Sequence, residues 1–370
     1  MNRLVFAALS LLALTLHAAE PIAAPQERPV LDVVFVLDTT SSMGGLIEGA
    51  KQKIWSIASR LASGTPTPRV RVGLVAYRDV GDAYVTQVVP LSEDLDAIYA
   101  KLRGFRAEGG GDGPEAVQDG LHDAVTKMKW SDSKRVAKMI FVVGDAPAHE
   151  QDKPKLLAAA KTAISQGIVV NTIRCGADEV AAGQFAQVAK LADGHFDSIQ
   201  QSGGVVAVAT PFDADLARLN GEMMDTALYG GARPAKAAAE VRRVETKALA
   251  APAAADRMSY FSKGMAGAGA SASAGASAVG AVDLTATPEK AAALKDDELP
   301  TELQKLSPEE RVSYAKAKQQ KRAELSKQIA ELSKKRDEYV AKAAKADKSS
   351  FDARVFEAVA ETAKRADVAY

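Results

Sequence analysis

The alternation of apolar and polar positions divides the first 230 or so residues into strands and helices that take turns. The run Val33-Val34-Phe35-Val36-Leu37 ends at Asp38-Thr39-Thr40-Ser41-Ser42-Met43-Gly44-Gly45, after which Leu46, Ile47, Ala50, Ile54, Ile57 and Ala58 recur at helical spacing. An unbroken apolar run signals burial on both faces, so this opening predicts a central parallel strand, a loop at its carboxyl end and a helix. Gly64-Thr65-Pro66-Thr67-Pro68 breaks the pattern, and strands are expected over 70–77 and 85–91. The loop between them, 78–83, is too short for a parallel crossover, which needs about a dozen residues, so the third strand is expected antiparallel at the sheet edge.

Helical spacing follows over 94–102, and Pro114 marks the expected first position of a helix carrying Ala116, Val117, Leu121, Ala124 and Val125. A strand over 136–143 ends in Gly144-Asp145-Ala146-Pro147. Then come a helix (156–164), a strand (167–173), a helix (180–191) and a short strand (194–199). Phe212, Leu216, Leu219, Met223 and Leu228 form the last helical stripe, stopped by Gly230-Gly231. Such alternation predicts an α/β domain over 29–230, a doubly wound, mostly parallel sheet with one antiparallel edge strand.

Beyond it, 235–300 divides into an alanine-rich charged stretch, a marginal helix at best, and a Gly/Ala/Ser tract over 264–280 that reads as a flexible linker. The remainder, 301–370, reads as an α-helical module. Ser307-Pro308-Glu309-Glu310 has the form of a capping box, and Leu325, Ile329, Leu332 and Tyr339 draw a narrow seam along a charged helix. After Ser349-Ser350, the residues Phe351, Val355, Phe356 and Val359 begin a second amphipathic helix. The pair is expected to close as a hairpin or to form a coiled coil with another chain. At the other end, Arg3, an apolar stretch up to Leu16 and then Ala18-Ala19 have the layout of a signal peptide over 1–19, although His17 departs from the small-x-small rule. That stretch is too short to span a membrane and no cysteine follows it, so an exported, soluble, periplasmic or secreted bacterial protein is expected.

Composition narrows the partners. With 47 basic and 47 acidic residues in 370, nothing favours nucleic acid. The single cysteine, Cys175, permits no intramolecular disulfide, and its neighbours Val169, Val170 and Ile173 mark it as an inert core thiol.

In open α/β sheets ligands gather at the carboxyl ends of the strands, which is where Asp38-x-Thr40-x-Ser42, the Gly-rich loop with Asp112, and Asp145 are expected to meet. A carboxylate followed by hydroxyls at alternate positions of an extended loop turns its oxygens toward one point, which suits a hard cation. Mg²⁺ keeps several waters and leaves room for a carboxylate from outside. Of the neighbours, Glu115 is explained by the dipole of a helix it would open, with a supporting role for it or Ser41 as the alternative. Arg78, Asp79 and Asp82 read as turn residues, His149 as a surface histidine, and His122 and His195 as structural.

This constellation resembles the von Willebrand factor A (VWA) domain with its metal-ion-dependent adhesion site (MIDAS), a Rossmann-like fold. Asp38, Thr40 and Ser42 match the family's Asp-x-Ser-x-Ser, and Asp145 matches the aspartate after the fourth strand. Asp112 stands where the family has threonine. The resemblance implies a divalent cation held by Asp38, Thr40, Ser42, Asp112 and Asp145, most simply Mg²⁺. Three aspartates would tilt the choice toward Mn²⁺ or Ca²⁺ and weaken the pull on an incoming carboxylate. It also implies a non-catalytic adhesion or scaffold module that captures an exposed acidic residue of a protein partner. The alternatives are an envelope protein that self-associates through its terminal helices and, further off, a metal-assisted hydrolase, for which no general base is evident.

Overall fold

The computed structural model describes residues 27–111, 113–201, 209–266, 279–344 and 351–370. Six strands form one sheet: β1 (Val30–Asp38), β2 (Arg69–Tyr77), β3 (Thr86–Ser92), β4 (Val136–Gly144), β5 (Ile168–Cys175) and β6 (Phe196–Ile199). Their order is β3-β2-β1-β4-β5-β6. All neighbours are parallel except β2 and β3, so the short 78–83 connection does place an antiparallel strand at the edge. β1 is buried along its whole length because both faces are covered. Leu31, Val33, Phe35 and Leu37 join one core; Val34 and Val36 join the other.

The second core is closed by α3 (Val117–Thr126), α4 (Lys153–Ser165) and α5 (Glu179–Leu191). The first is closed by α1 (Gly44–Leu61), α2 (Leu95–Gly104), α6 (Asp213–Met224) and helices from the distal third of the chain. Aspartates start two of these helices: Asp94 accepts from the Ala97 amide at 3.1 Å and Asp178 from the Ala181 amide at 2.7 Å. One start differs from expectation. α3 begins at Val117 instead of Pro114, because Glu115 is held in a parallel bridge to Ala148, with its amide donating to the Pro147 carbonyl at 2.8 Å. Backbone committed to a neighbouring loop is not free to enter a helix.

The distal segments pack on the domain. The alanine-rich stretch forms α7 (Arg233–Lys247) and α8 (Ala251–Ala266), and α8 is no marginal helix, since it lies against α1 and α6 with Met258 and Phe261 buried. Its Arg257 forks onto both Asp96 oxygens at 2.8 Å and onto Asn220 Oδ1 at 2.8 Å. A small two-stranded ladder pairs β7 (Tyr229–Gly230) with β8 (Val282–Asp283). The 267–278 part of the Gly/Ala/Ser tract and the Ser349-Ser350 break lie outside the described residues. The capping box forms: the Ser307 amide donates to Glu310 Oε2 at 2.8 Å and the Glu310 amide to Ser307 Oγ at 3.3 Å, opening α9 (Pro308–Ala344).

The terminal helices, expected as a hairpin or coiled coil, take the domain's own helices as packing partners. α9 lies on α6 and α8, and α10 (Phe351–Thr362) lies on α1 and β4. Leu325, Ile329, Val355, Val359 and Val368 thereby enter the same core as Leu31 and Trp55. A stripe as narrow as Leu325-Ile329-Leu332 finds enough apolar surface on α6 and α8, where Leu216, Leu219, Met223 and Met258 face it in one cluster. Arg336 ties the layers by donating to Asp213 at 2.7 Å and Asp256 at 2.6 Å. The chain end is fixed by a bridge between Thr65 and Ala369 and by the Tyr370 hydroxyl donating to the Leu61 carbonyl at 2.6 Å. Among the described residues no helix is long and apolar enough to cross a membrane.

Candidate metal centre

Parallel β1 and β4 end side by side, so Asp38 at the end of one meets Asp145, the first residue after the other. Gly144 makes the approach possible. A Cβ there would stand 2.3 Å from the Tyr77 hydroxyl and 3.3 Å from Asp38 Cβ. Asp38 is fully buried, and its Oδ1 accepts from the Thr40 amide at 2.9 Å and the Thr40 hydroxyl at 2.6 Å. Thr40 Oγ1 lies 3.4 Å from Ser42 Oγ. The intervening hydroxyls turn away. Thr39 Oγ1 donates to the Tyr77 carbonyl at 2.8 Å and sits 2.7 Å from the Tyr84 hydroxyl, while Ser41 Oγ donates to the Gly109 carbonyl at 2.8 Å. Residues 38, 40 and 42 therefore line the site while 39 and 41 fasten it to neighbouring loops.

Two carboxylate oxygens there, Asp38 Oδ2 and Asp145 Oδ1, are buried with no hydrogen-bond partner among the described residues. Burial pushes the Asp38 carboxyl up to about 7 against the Thr40 hydrogen bonds, and the Asp145 carboxylate beside it adds to the rise. Apposed carboxylates, each with one buried and unsatisfied oxygen, favour a positive charge between them, and the Thr40 and Ser42 hydroxyls beside them offer oxygen ligands. The residues present thus fit a hard divalent cation, which Asp38 and Asp145 could hold with the Thr40 and Ser42 hydroxyls. Among the described residues no group of three His, Cys, Asp or Glu side chains is placed to hold a metal, so a cation here would also need the hydroxyls. Asp112 lies outside the described residues.

The structure gives other residues roles that the sequence did not. Glu115 is 4% exposed and two residues short of α3, so the helix dipole does not account for it. Its Oε2 has no partner among the described residues, and a Cβ on Gly110 would come within 2.9 Å of its Oε1 and 3.2 Å of Thr40 Cβ. Burial first, and then the carboxylates of Asp38, Asp79, Asp82 and Asp145, push its acid up to about 8. It is a further carboxylate at the edge of the site, and its position at the end of the Gly-rich loop was the available signal. His149 is no surface histidine, since its Nε2 lies 2.8 Å from Asp79 Oδ1 and both side chains are mostly covered. Asp82 Oδ2 accepts from the Gly110 amide at 2.9 Å and the Asp79 amide at 3.1 Å, pinning the Gly-rich loop. Arg78 is buried, donating to the Arg106 carbonyl at 2.9 Å with its guanidinium 4.4 Å above the Tyr84 ring. His122 is exposed, and His195 Nε2 sits 2.8 Å from Glu361 Oε2. Cys175 is fully buried with its thiol pushed up by desolvation, an inert core group. Gln201, two residues past β6, donates through Nε2 to Asp145 Oδ2 and to the Ser42 carbonyl at 3.2 Å.

Residues 32–210 match the family model for the von Willebrand factor A domain. Among curated proteins the chain is similar to an ariadne-like RING finger protein of Acanthamoeba polyphaga mimivirus, 24% identical over 128 residues that make up 35% of this chain and 12% of that one. It is also similar to the alpha-protein kinase vwkA of Dictyostelium discoideum, 28% identical over 120 residues, 32% of this chain and 19% of that one. The matches therefore span less than a fifth of either relative. Among solved structures, BatB from Bacteroides thetaiotaomicron is 17% identical at a TM-score of 0.37, covering 46% of this chain and 90% of that one. The Rpn10 VWA domain is 19% identical at a TM-score of 0.37, covering 48% and 92%. Proximal thread matrix protein 1 from mussel byssus, solved with zinc in its MIDAS motif, is 17% identical at a TM-score of 0.37, covering 46% and 42%. The family match and the mixed sheet that carries the Asp38 and Asp145 loops at its carboxyl edge agree over residues 32–210, which are similar to the von Willebrand factor A domain.

Proposed function

We propose that the domain is a non-catalytic protein-binding module that captures an acidic residue of a partner through a divalent cation. The observation that supports it most is the pair of buried, unsatisfied oxygens, Asp38 Oδ2 and Asp145 Oδ1, at the carboxyl edge of the sheet. Asp38, Asp145, Thr40 and Ser42 would hold the cation, with Mg²⁺ the first candidate and Mn²⁺ or Ca²⁺ next. When bound, the cation supplies a positive centre able to attract a carboxylate from outside. Thr39, Ser41 and Asp82 keep the surrounding loops in place for that contact. The leader over 1–19, outside the described residues, supports export to the periplasm or the medium as part of this reading. Self-association through the terminal seam has less support, because Leu325 and Ile329 are fully buried in the chain's own core.

The test is fluorescence anisotropy of a labelled glutamate-rich peptide with the full chain in Mg²⁺. Binding that vanishes in EDTA and in Asp38→Ala is expected. Equal binding in all three samples would remove the cation from the account.

A further inference from the structure

We propose that Gln201 is a built-in competitor of the cation: its side-chain amide, held on Asp145 Oδ2 and the Ser42 carbonyl, draws on the same carboxylate and sets the positive end of its dipole beside the oxygens a cation would take. The inference rests on the reading of Asp38 and Asp145 as cation ligands.

The amide nitrogen of Gln201 donates to Asp145 Oδ2, to the Ser42 carbonyl at 3.2 Å, and approaches Met43 Sδ at 4.0 Å. One donor group therefore bridges the end of the β4 loop and the Asp38-x-Thr40-x-Ser42 loop, the two segments a cation would join. An amide N–H donates to a carboxylate oxygen but offsets none of its formal charge. Asp38 Oδ2 and Asp145 Oδ1 accordingly stay without partners among the described residues while Gln201 is in place. A divalent ion would engage those oxygens against the opposing dipole of the amide, so binding is favourable only once the ion is concentrated enough to overcome it.

The backbone makes room for this arrangement. A Cβ on Gly176 would lie 2.2 Å from Gln201 Oε1, and Gly176 has φ +77°, a conformation that side-chain-bearing residues rarely adopt. Directly after β5, then, the chain carries the one residue type that leaves both the space and the conformation needed for the glutamine to fold over the site. The consequence is a threshold: Gln201 sets the cation concentration at which the domain becomes competent to take a partner's carboxylate.

Calorimetric titration of the full chain with MgCl₂ and with MnCl₂ tests this, comparing the native protein, Gln201→Ala and Asp38→Asn. Losing a hydrogen bond to a charged group from the metal-free state alone should tighten binding about tenfold in Gln201→Ala. Gly176→Ala, which crowds the amide out, should shift affinity in the same direction. The ¹⁵N side-chain amide signal that Gln201→Ala removes should move when Mg²⁺ is added to the native chain. Unchanged affinity in Gln201→Ala overturns the proposal and leaves the cation site standing. Weaker binding also overturns it, by making Gln201 a ligand. No binding in both the native protein and Gln201→Ala, or binding that persists unchanged in Asp38→Asn, ends both the proposal and the reading beneath it.

Discussion

Replacing Asp38 by asparagine should stabilise the metal-free chain at neutral pH. In the native protein the Asp38 acid is raised from 3.8 to about 7, chiefly because the carboxyl is buried. A folded-state pKa above the unfolded one means that the native state holds the proton more tightly. Its contribution is fully present below about pH 4 and is lost as pH rises through about 7. At 1.36 kcal/mol per unit, the full loss is on the order of 4 kcal/mol. Asparagine keeps Oδ1 as acceptor for the Thr40 amide and hydroxyl and removes the charge that Asp38 Oδ2 carries without a partner among the described residues. Urea unfolding in EDTA, followed by tryptophan fluorescence, reads the difference; Trp55 is buried against Tyr99, Tyr260 and Phe261 and reports on the core. Between about pH 5 and about pH 8 the native midpoint should fall relative to that of Asp38→Asn, and Mg²⁺ should reverse the order at the upper end. An unchanged separation between the two proteins across that range in EDTA would contradict a buried, unpaired Asp38 charge.

Further consequences concern the core and its neighbours. Leu325→Ala should lower stability by about 2–5 kcal/mol, seen in the same urea midpoint, because Leu325 belongs to the core that contains Trp55; a helix that folded independently would leave that midpoint in place. Gly120→Ala puts a Cβ 2.9 Å from Val36 Cγ1 and 3.0 Å from Tyr77 Cδ1, and should cost about 1–3 kcal/mol in thermal unfolding, with metal binding also weakened through Tyr77. Cys175 should resist a thiol reagent in the native chain at about pH 8 and react only on unfolding in urea; rapid native labelling would contradict its burial.

Much of the fold could be read from residues that report on local geometry. The five apolar residues before Asp38 marked the central strand, and the brevity of 78–83 identified the antiparallel edge. Asp38, Thr40, Ser42 and Asp145 were legible as a group because each ends or follows a strand that finishes at the same edge. Glu115 was misplaced because proline followed by an apolar stripe looks like a helix start, whereas a bridge to Ala148 takes that backbone. Gln201 left no trace, since its contacts reach back 56 residues to Asp145 and 159 to Ser42, and no spacing rule connects them. The terminal helices showed their stripes but not what would cover them: Leu325 and Ile329 suit a coiled coil as well as they suit the side of α6 and α8. Tertiary supply of apolar surface decided the matter.

A divalent cation shared by Asp38 and Asp145 would be read by titrating the full chain with MgCl₂ and MnCl₂ beside Asp145→Ala. Saturable binding of one ion by the native chain and its loss in Asp145→Ala is the predicted result. Binding of neither ion, or equal binding by the variant, would contradict it.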